Sequence, residues 1–389
     1  MSAPKPLAAR IMHRLPWLLS SIDRPSQIVG YVGPNWFASV MGTGIVANAA
    51  MTLPWHSEIL HRFALLVWSL DLLLLIGLTV AVGLHWIYHP SVARTHANDP
   101  TMAQFYGAPP MALLTVGAGS LLVGRTLLGI SAAVDLDWIL WTLGTVMGLV
   151  TAILIPYLMF TRHEIDSNAA FGGWIMPIVP PMVSAATGAL LIPYVAAGTG
   201  RETFVYGLYA LFGMSLMTSV IVITLIWSRL VHHGDSGSSR SATLWIVLGP
   251  LGQSITAASL LGGAAHEAIS APIAGAMSAL SILYGVPMWG FATLWVMLAT
   301  LLTIRAAHRG FPFALTWWSF TFPVGTYVTG TSGLAAHTDL PAFAVAAVIG
   351  YAGLLCAWMV VAFRTARGSI RGELLLQPHP APQMTAAVG

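Results

Sequence analysis

The sequence predicts an all-α integral membrane protein of ten transmembrane helices, consecutive helices pairing as hairpins. Three observations predict it. Only 7% of the 389 residues are Asp, Glu, Lys or Arg and 57% are apolar, whereas a soluble surface is built on roughly 25% charge. Apolar stretches recur through the chain at the length of about 20 residues that a helix needs to cross a hydrocarbon core. They lack the period of two that a lipid-facing barrel strand requires, so bundled helices are the form that satisfies its own backbone in lipid. Thirdly, the basic residues alternate between successive connections, as the positive-inside rule demands.

Runs bounded by charge, Pro and Gly place the spans at roughly 34–52, 63–88, 108–128, 138–160, 172–195, 203–227, 242–265, 274–304, 316–335 and 342–364. The first holds Met41-Gly42-Thr43-Gly44, and the third holds Pro109, Pro110, Gly117 and Gly119. In the fifth stand Pro177, Pro180, Pro181 and Gly188; in the seventh Gly249, Pro250 and Gly252; in the ninth Pro323, Gly325 and Gly330. The even-numbered spans are poorer in both residues. Interrupted helices are tolerated at membrane depth where protein or a water-filled cavity meets their freed carbonyls. The odd spans are therefore expected inside and the even ones outside. Short connections make sequential spans antiparallel neighbours. Residues 1–30 read as a cytoplasmic or interfacial segment, 31–366 as the ten-helix transmembrane domain, and 367–389, rich in Pro and Ala, as a disordered cytoplasmic tail.

Orientation follows from charge. Lys5, Arg10, Arg14, Arg24, Arg94, Arg162, Arg229, Arg240, Arg305, Arg309, Arg364, Arg367 and Arg371 fall on the side of both termini. The opposite side has Arg62, Arg125 and Arg201 with Glu58, Asp135, Asp137, Glu202, Glu267 and Asp339. Both termini are thus expected in the cytoplasm.

Small and hydroxylated residues cluster beside the breaks in the odd spans. Gly42, Thr43 and Gly44, then Pro180, Pro181, Ser184 and Thr187, then Gly249, Pro250, Gln253 and Ser254, and finally Pro323 and Gly325 are the residues expected along a path. Thr256, Ser259, Thr326, Thr329, Thr331 and Ser332 add hydroxyls. Neutral donors replace water around an anion without trapping it. The same residues also serve close helix packing and hydroxyl bonds back to their own helix. Asp71 is the acid at depth in the second span, either a proton-coupling group or a neutral acid contacting a neighbour. Arg125, near the outer end of the third, is placed to attract anions at a mouth or to snorkel to the interface.

Met41-Gly42-Thr43-Gly44, the segment Pro177 to Gly188, and Trp317-Trp318-Ser319-Phe320-Thr321-Phe322-Pro323-Val324-Gly325 resemble, in this order, the tellurite-resistance/dicarboxylate transporter family. The resemblance runs over roughly residues 30–365 and is nearest the branch of malate permeases and sulfite pumps. It implies five hairpins with odd helices around a central pore, and often a homotrimer. A phenylalanine of the ninth helix would plug that pore, and Phe320 and Phe322 are the two in the matching neighbourhood. A small anionic substrate is implied: C4-dicarboxylates such as malate or succinate first, sulfite or passive flow of tellurite, chloride or nitrate as the alternative.

Other classes are disfavoured. The basic residues are scattered singly, which argues against nucleic acid. Cys356 is the lone cysteine, so no thiolate metal cluster is expected. The 13 histidines show no metal-ligand spacing, and no His, Asp and Glu set converges as a membrane enzyme would need. Neither cofactor nor metal is expected.

Overall fold

Lipid offers the backbone no hydrogen bonds, and in the computed structural model every regular element among the described residues, 20–22, 25–235 and 238–376, is a helix. The principal ones are α1 (Phe37–Thr52), α2 (Glu58–Tyr88), α3 (Ala108–Gly119), α4 (Ile130–Thr161) and α5 (Pro180–Gly188). They continue with α6 (Thr199–His233), α7 (Leu248–Ala264), α8 (Ala271–His308), α9 (Phe322–Thr338) and α10 (Pro341–Arg371). Local chemistry sets the boundaries. Ser57 caps α2 by accepting from the Leu60 amide at 3.2 Å. Gly129 at φ 79° separates α3 and its extension from α4, and Gly234 and Gly372, at φ 69° and 83°, close α6 and α10.

Among the described residues, seven helical stretches are long and apolar enough to cross a membrane: the five even helices, Met102–Leu128 around α3 and Ala242–Glu267 around α7. The remaining expected spans are helical but shorter, with 16 residues in α1, 9 in α5 and 17 in α9. Proline explains the shortness. Pro34, Pro180 with Pro181, and Pro323 each stand in the first turn of a helix or of its lead-in, where a missing N–H is harmless. What precedes them is wound more tightly: Gly172–Ile175 before α5, Ala242–Val247 before α7 and Leu315–Phe320 before α9 are 3₁₀ turns. α3 runs into a π turn at Ser120–Gly124 before it ends at Leu128. By contrast α4 and α8 stay continuous through Pro156 and Pro287. At 31 to 38 residues, the even helices also outrun their expected limits. α4 begins at Ile130, so Asp135 and Asp137, expected in a loop, lie within it. Residues 367–371 of the expected tail continue α10, and 377–389 lie outside the described residues, as does most of the N-terminal segment.

Packing sorts the helices into two layers. α1 contacts α3 and α9, α3 contacts α5, α5 contacts α7, and α7 contacts α9, which closes a ring. Each ring helix also packs against the even helix that follows it in sequence. Large apolar side chains of the even helices face outward, among them Leu73, Ile153, Ile221, Leu283, Met297 and Phe363. α1, α5, α7 and α9 are almost wholly buried. The ring therefore occupies the interior, and the outward face has the composition lipid requires. The amide of Ser21 donates to the Arg371 carbonyl at 3.0 Å, so the two ends of the described chain meet at one end of the bundle.

Ring contacts are closest at glycine. A Cβ on Gly252 of α7 would strike the Tyr327 amide nitrogen and the Thr326 carbonyl carbon of α9. Backbone cannot step aside as a flexible side chain can. Gly252→Val is expected to lower the melting temperature of the detergent-solubilised protein, by an overpacking cost of about 1–3 kcal/mol or more. Gly290→Val on the outer helix α8, where a Cβ enters open space, is expected to leave the melting temperature unchanged.

Candidate functional site: the interior of the helix ring

Successive residues of an α-helix are turned by about 100°, so the contacts made at a few positions fix where the others point. On α9, Gly325 packs against the Ile45 side chain of α1. Thr326 donates towards the Leu248 and Gly249 carbonyls of α7, at 3.2 and 3.4 Å. Phe322 precedes these two residues by three and four positions. It stands one turn earlier, in the sector between the α1 and α7 contacts, and that sector faces the ring axis. Thr329 and Ala336 continue the same stripe at intervals of seven. Tyr327 and Thr331 look the other way, bonding Thr293 and Trp289 of α8 at 2.8 and 3.0 Å.

α7 completes the stripe from its side. Thr256 Oγ1 lies 2.7 Å from Thr329 Oγ1, and Gly249 and Gln253 share its face. Gly249 is buried, yet a Cβ there would meet nothing within 4 Å. The other glycines with such open space are exposed or, at Gly213 on the outer helix α6, half-buried, so Gly249 borders an internal void. Gln253 is only 5% exposed and its amide bonds no protein group among the described residues. A neutral amide and a hydroxyl pair thus meet a small space beside the Phe322 stripe. The buried titratable side chains among the described residues, Asp71, His85, Asp137, Arg229 and Tyr351, all stand on even helices. The ring interior carries none.

Several residues expected along a path face neighbours instead. A Cβ on Gly42 would strike Thr321 Oγ1 and lie 2.6 Å from the Trp318 ring, so this glycine admits the lead-in of α9. Thr43 Oγ1 accepts from Trp358 Nε1 of α10 at 3.2 Å, and Gly44 lies under the Asp71 carboxyl of α2. Ser184 faces α4, its Oγ accepting from Thr145 at 2.9 Å and its carbonyl from Trp141 Nε1 at 2.9 Å. Pro180 packs on Gly148 of α4. Thr187 bonds back to Val183 and Ser254 to Leu251, within their own helices. Pro181, Pro250 and Pro323 are buried in their first helical turns. Arg125 is exposed at the end of the α3 extension.

The two phenylalanines differ in surroundings. Phe320 sits among Trp245, Phe311 and Trp317, at ring separations of 5.6, 6.2 and 5.8 Å. With Val296, Val324 and Gly350 it lines an outer groove of about 360 Å³ between α8 and α10. Phe322 is buried in the main core with residues of α1, α3, α5 and α7.

Two features escaped the sequence reading. Asp137 is fully buried, in a stripe with Ala133, Leu140, Gly144 and Gly148 whose spacings of three and four would have placed it on the inner face of a helix. At the end of the bundle that holds both described chain ends, His85 stacks on His96 and His89, at 5.4 and 6.0 Å. Burial, and next the neighbouring His85, hold the His96 imidazole below its ordinary range, against the pull of Asp99. No such group among the described residues is arranged to hold a metal ion.

Comparison with known proteins places this geometry in context. The sequence model of the voltage-dependent anion channel family (SLAC1) matches residues 31–366. An uncharacterised transporter of Methanocaldococcus jannaschii is 25% identical over 89% of this chain and 94% of its own. A sulfite efflux pump of Trichophyton rubrum is 25% identical over 88% and 92% respectively. A malic acid transport protein of Schizosaccharomyces pombe is 21% identical over 98% of this chain and 90% of its own.

The void is testable without any substrate. In a Cys356→Ser background, Gly249→Cys is expected to react with a small water-soluble thiol reagent. Ser254→Cys, turned away from the axis, is expected to stay unreactive until the protein is denatured; equal labelling of both would refute the assignment of faces.

Proposed function

Because the chain belongs to the voltage-dependent anion channel family, we propose that it moves small anions across a bilayer along the axis enclosed by α1, α3, α5, α7 and α9. In this reading all ten helices cross as five antiparallel hairpins, and Phe322 closes the path. The observation that carries it is the stripe of Phe322, Gln253, Thr256 and Thr329 beside the void at Gly249, in an interior without charge. Neutral donors suit passage. A fixed cation about 4 Å from an anion contributes about 4 kcal/mol at an effective dielectric of 20, which lengthens its stay by nearly three decades. Hydrogen bonds to a charged group contribute about 1.5–3 kcal/mol each, enough to replace part of a hydration shell while still releasing the ion.

The relatives support sulfite and C4-dicarboxylates alike. Geometry favours the smaller ion, because the amide and the hydroxyl pair form one polar station, whereas a dicarboxylate has a charged group at each end. Arg125, exposed at the end of the α3 extension, draws anions to the mouth. Both chain ends face the cytoplasm of a plasma or inner membrane, on the side that Arg94, Arg162, Arg305 and Arg309 mark in the sequence. Assembly as a homotrimer accompanies this reading.

In proteoliposomes, Phe322→Ala is expected to raise anion flux several-fold at equal protein content, and Phe320→Ala to leave it near wild type. A rise for Phe320→Ala alone would move the gate to the outer groove. Labelled sulfite entering faster than labelled malate, with sulfite the better competitor, is the expected order; malate uptake resistant to sulfite would reinstate the dicarboxylate.

A further inference from the structure

Two carboxyl groups lie behind the ring at the same level, one on each side of α3. Asp71 of α2 is fully buried, and its Oδ2 occupies the position a Cβ on Gly44 of α1 would need, with the Thr115 methyl of α3 alongside. Asp137 of α4 is fully buried too, its Oδ1 only 2.6 Å from where a Cβ on Gly117 would stand, with Leu140 alongside. In each case a ring helix presents bare backbone to an acid carried by an outer helix. Thr115 and Gly117 are two residues apart near the middle of the stretch Met102–Leu128, which sets both acids at mid-depth.

Neither acid has a compensating neighbour among the described residues. All four oxygens are buried without a hydrogen-bond partner, and neither group takes part in an ion pair. Gly44 of α1 and Thr115 of α3 stand beside Asp71. On the α10 side, the Tyr351 hydroxyl is spent on the Val46 carbonyl at 3.2 Å. Arg125 and Asp135, the charged residues nearest Asp137 in the sequence of α3 and α4, are exposed. An ionised carboxylate in such a place has a prohibitive desolvation cost, whereas a neutral acid does not. An intramembrane acid without a cationic partner is a functional group by default.

α3 between them departs from regular helical bonding. Its Thr115, Val116 and Gly117 carbonyls accept from side chains: Asn48 Nδ2 at 3.0 Å, Trp68 Nε1 at 3.1 Å and Ser120 Oγ at 2.7 Å. The π turn at Ser120–Gly124 follows directly, and such turns are frequent at functional sites.

We propose that Asp71 and Asp137 are two proton-binding sites whose neutral acids hold α1 and α3 in the closed ring, and that loss of the protons frees α3 and opens the path. Each step releases one proton from a carboxylic acid to water and leaves one carboxylate, which leaves its glycine notch for a wetter position. Because the closed state binds the protons and the open state does not, low pH favours closure and high pH opening. The flux consequence rests on the conduction reading above; proton occupancy does not.

Infrared spectroscopy of the reconstituted protein tests occupancy directly. At neutral pH the wild type is expected to show the C=O stretch of protonated carboxylic acid, weakened in Asp71→Asn and in Asp137→Asn and lost in the double variant. Absence of the band from the wild type, or its persistence in the double variant, would overturn the proposal whatever the flux. In proteoliposomes, wild-type anion flux is expected to rise about tenfold from acidic to alkaline pH, and the double variant to stay low throughout. A double variant that kept the wild-type pH response would also overturn the proposal. A chain that moves no anion yet shows the band, lost in the double variant, supports the proton sites and refutes conduction instead.

Discussion

At membrane depth every backbone carbonyl freed by a broken helix must find a donor inside the protein, and the architecture is organised around that requirement. The ring helices are the broken ones; the outer helices supply the donors. Trp68 of α2 donates its indole N–H to the Val116 carbonyl of α3 at 3.1 Å, and Trp141 of α4 to Ser184 of α5 at 2.9 Å. Trp295 of α8 donates to Leu244, in the lead-in of α7, at 2.9 Å, and Ser215 of α6 to Ile178, ahead of α5, at 2.7 Å. A neutral bond contributes only about 0.5–1.5 kcal/mol net, but a buried carbonyl left without one costs about 1–3 kcal/mol. The long, unbroken outer helices are thus the condition for an interrupted interior, beyond shielding it from lipid.

That pairing decides which polar atoms remain without a protein partner. Ser184, Thr43 and Thr326 are engaged by neighbouring helices. Gln253 is not, and Thr256 with Thr329 satisfies itself across the seam of α7 and α9. The glycines divide by the same logic. Gly42, Gly252 and Gly325 face another helix so closely that a Cβ would collide, whereas Gly249 faces space. Composition alone treats these residues as equivalent; their surroundings assign some to packing and leave Gly249 beside a void.

This is also where the sequence was readable and where it was not. Membrane class, inner and outer layers, and the interrupted odd helices follow from hydropathy, proline and glycine, because each is a property of one segment. The direction of a side chain is a property of two. Gly44 points at Asp71 and Thr43 at Trp358, partners 27 and 315 positions away, as the arithmetic of their numbers gives. No local pattern contains them. The donors from Trp68, Trp141 and Trp295 reach partners 48, 43 and 51 residues on or back and were equally invisible. Asp137 was misplaced for a different reason: a charged residue ends a hydropathy window, so α4 was expected to begin after it instead of at Ile130.

Among the described residues buried charge is confined to the second layer, and the proposed conduction gives a physical reason. A carboxylate on the axis would repel an approaching anion directly, and a guanidinium there would hold it; either would dominate the neutral station at Gln253. Set behind Gly44 and Gly117, an acid acts on the path only through the packing of α1 and α3. Neutral, it fills a notch that no side chain other than hydrogen could leave open; ionised, it cannot stay there. In the proposed switch the glycine on the ring helix and the acid on the outer helix are one device in two pieces, occurring on the first and again on the second helix pair. Its placement leaves the chemistry along the axis independent of the chemistry that moves the ring.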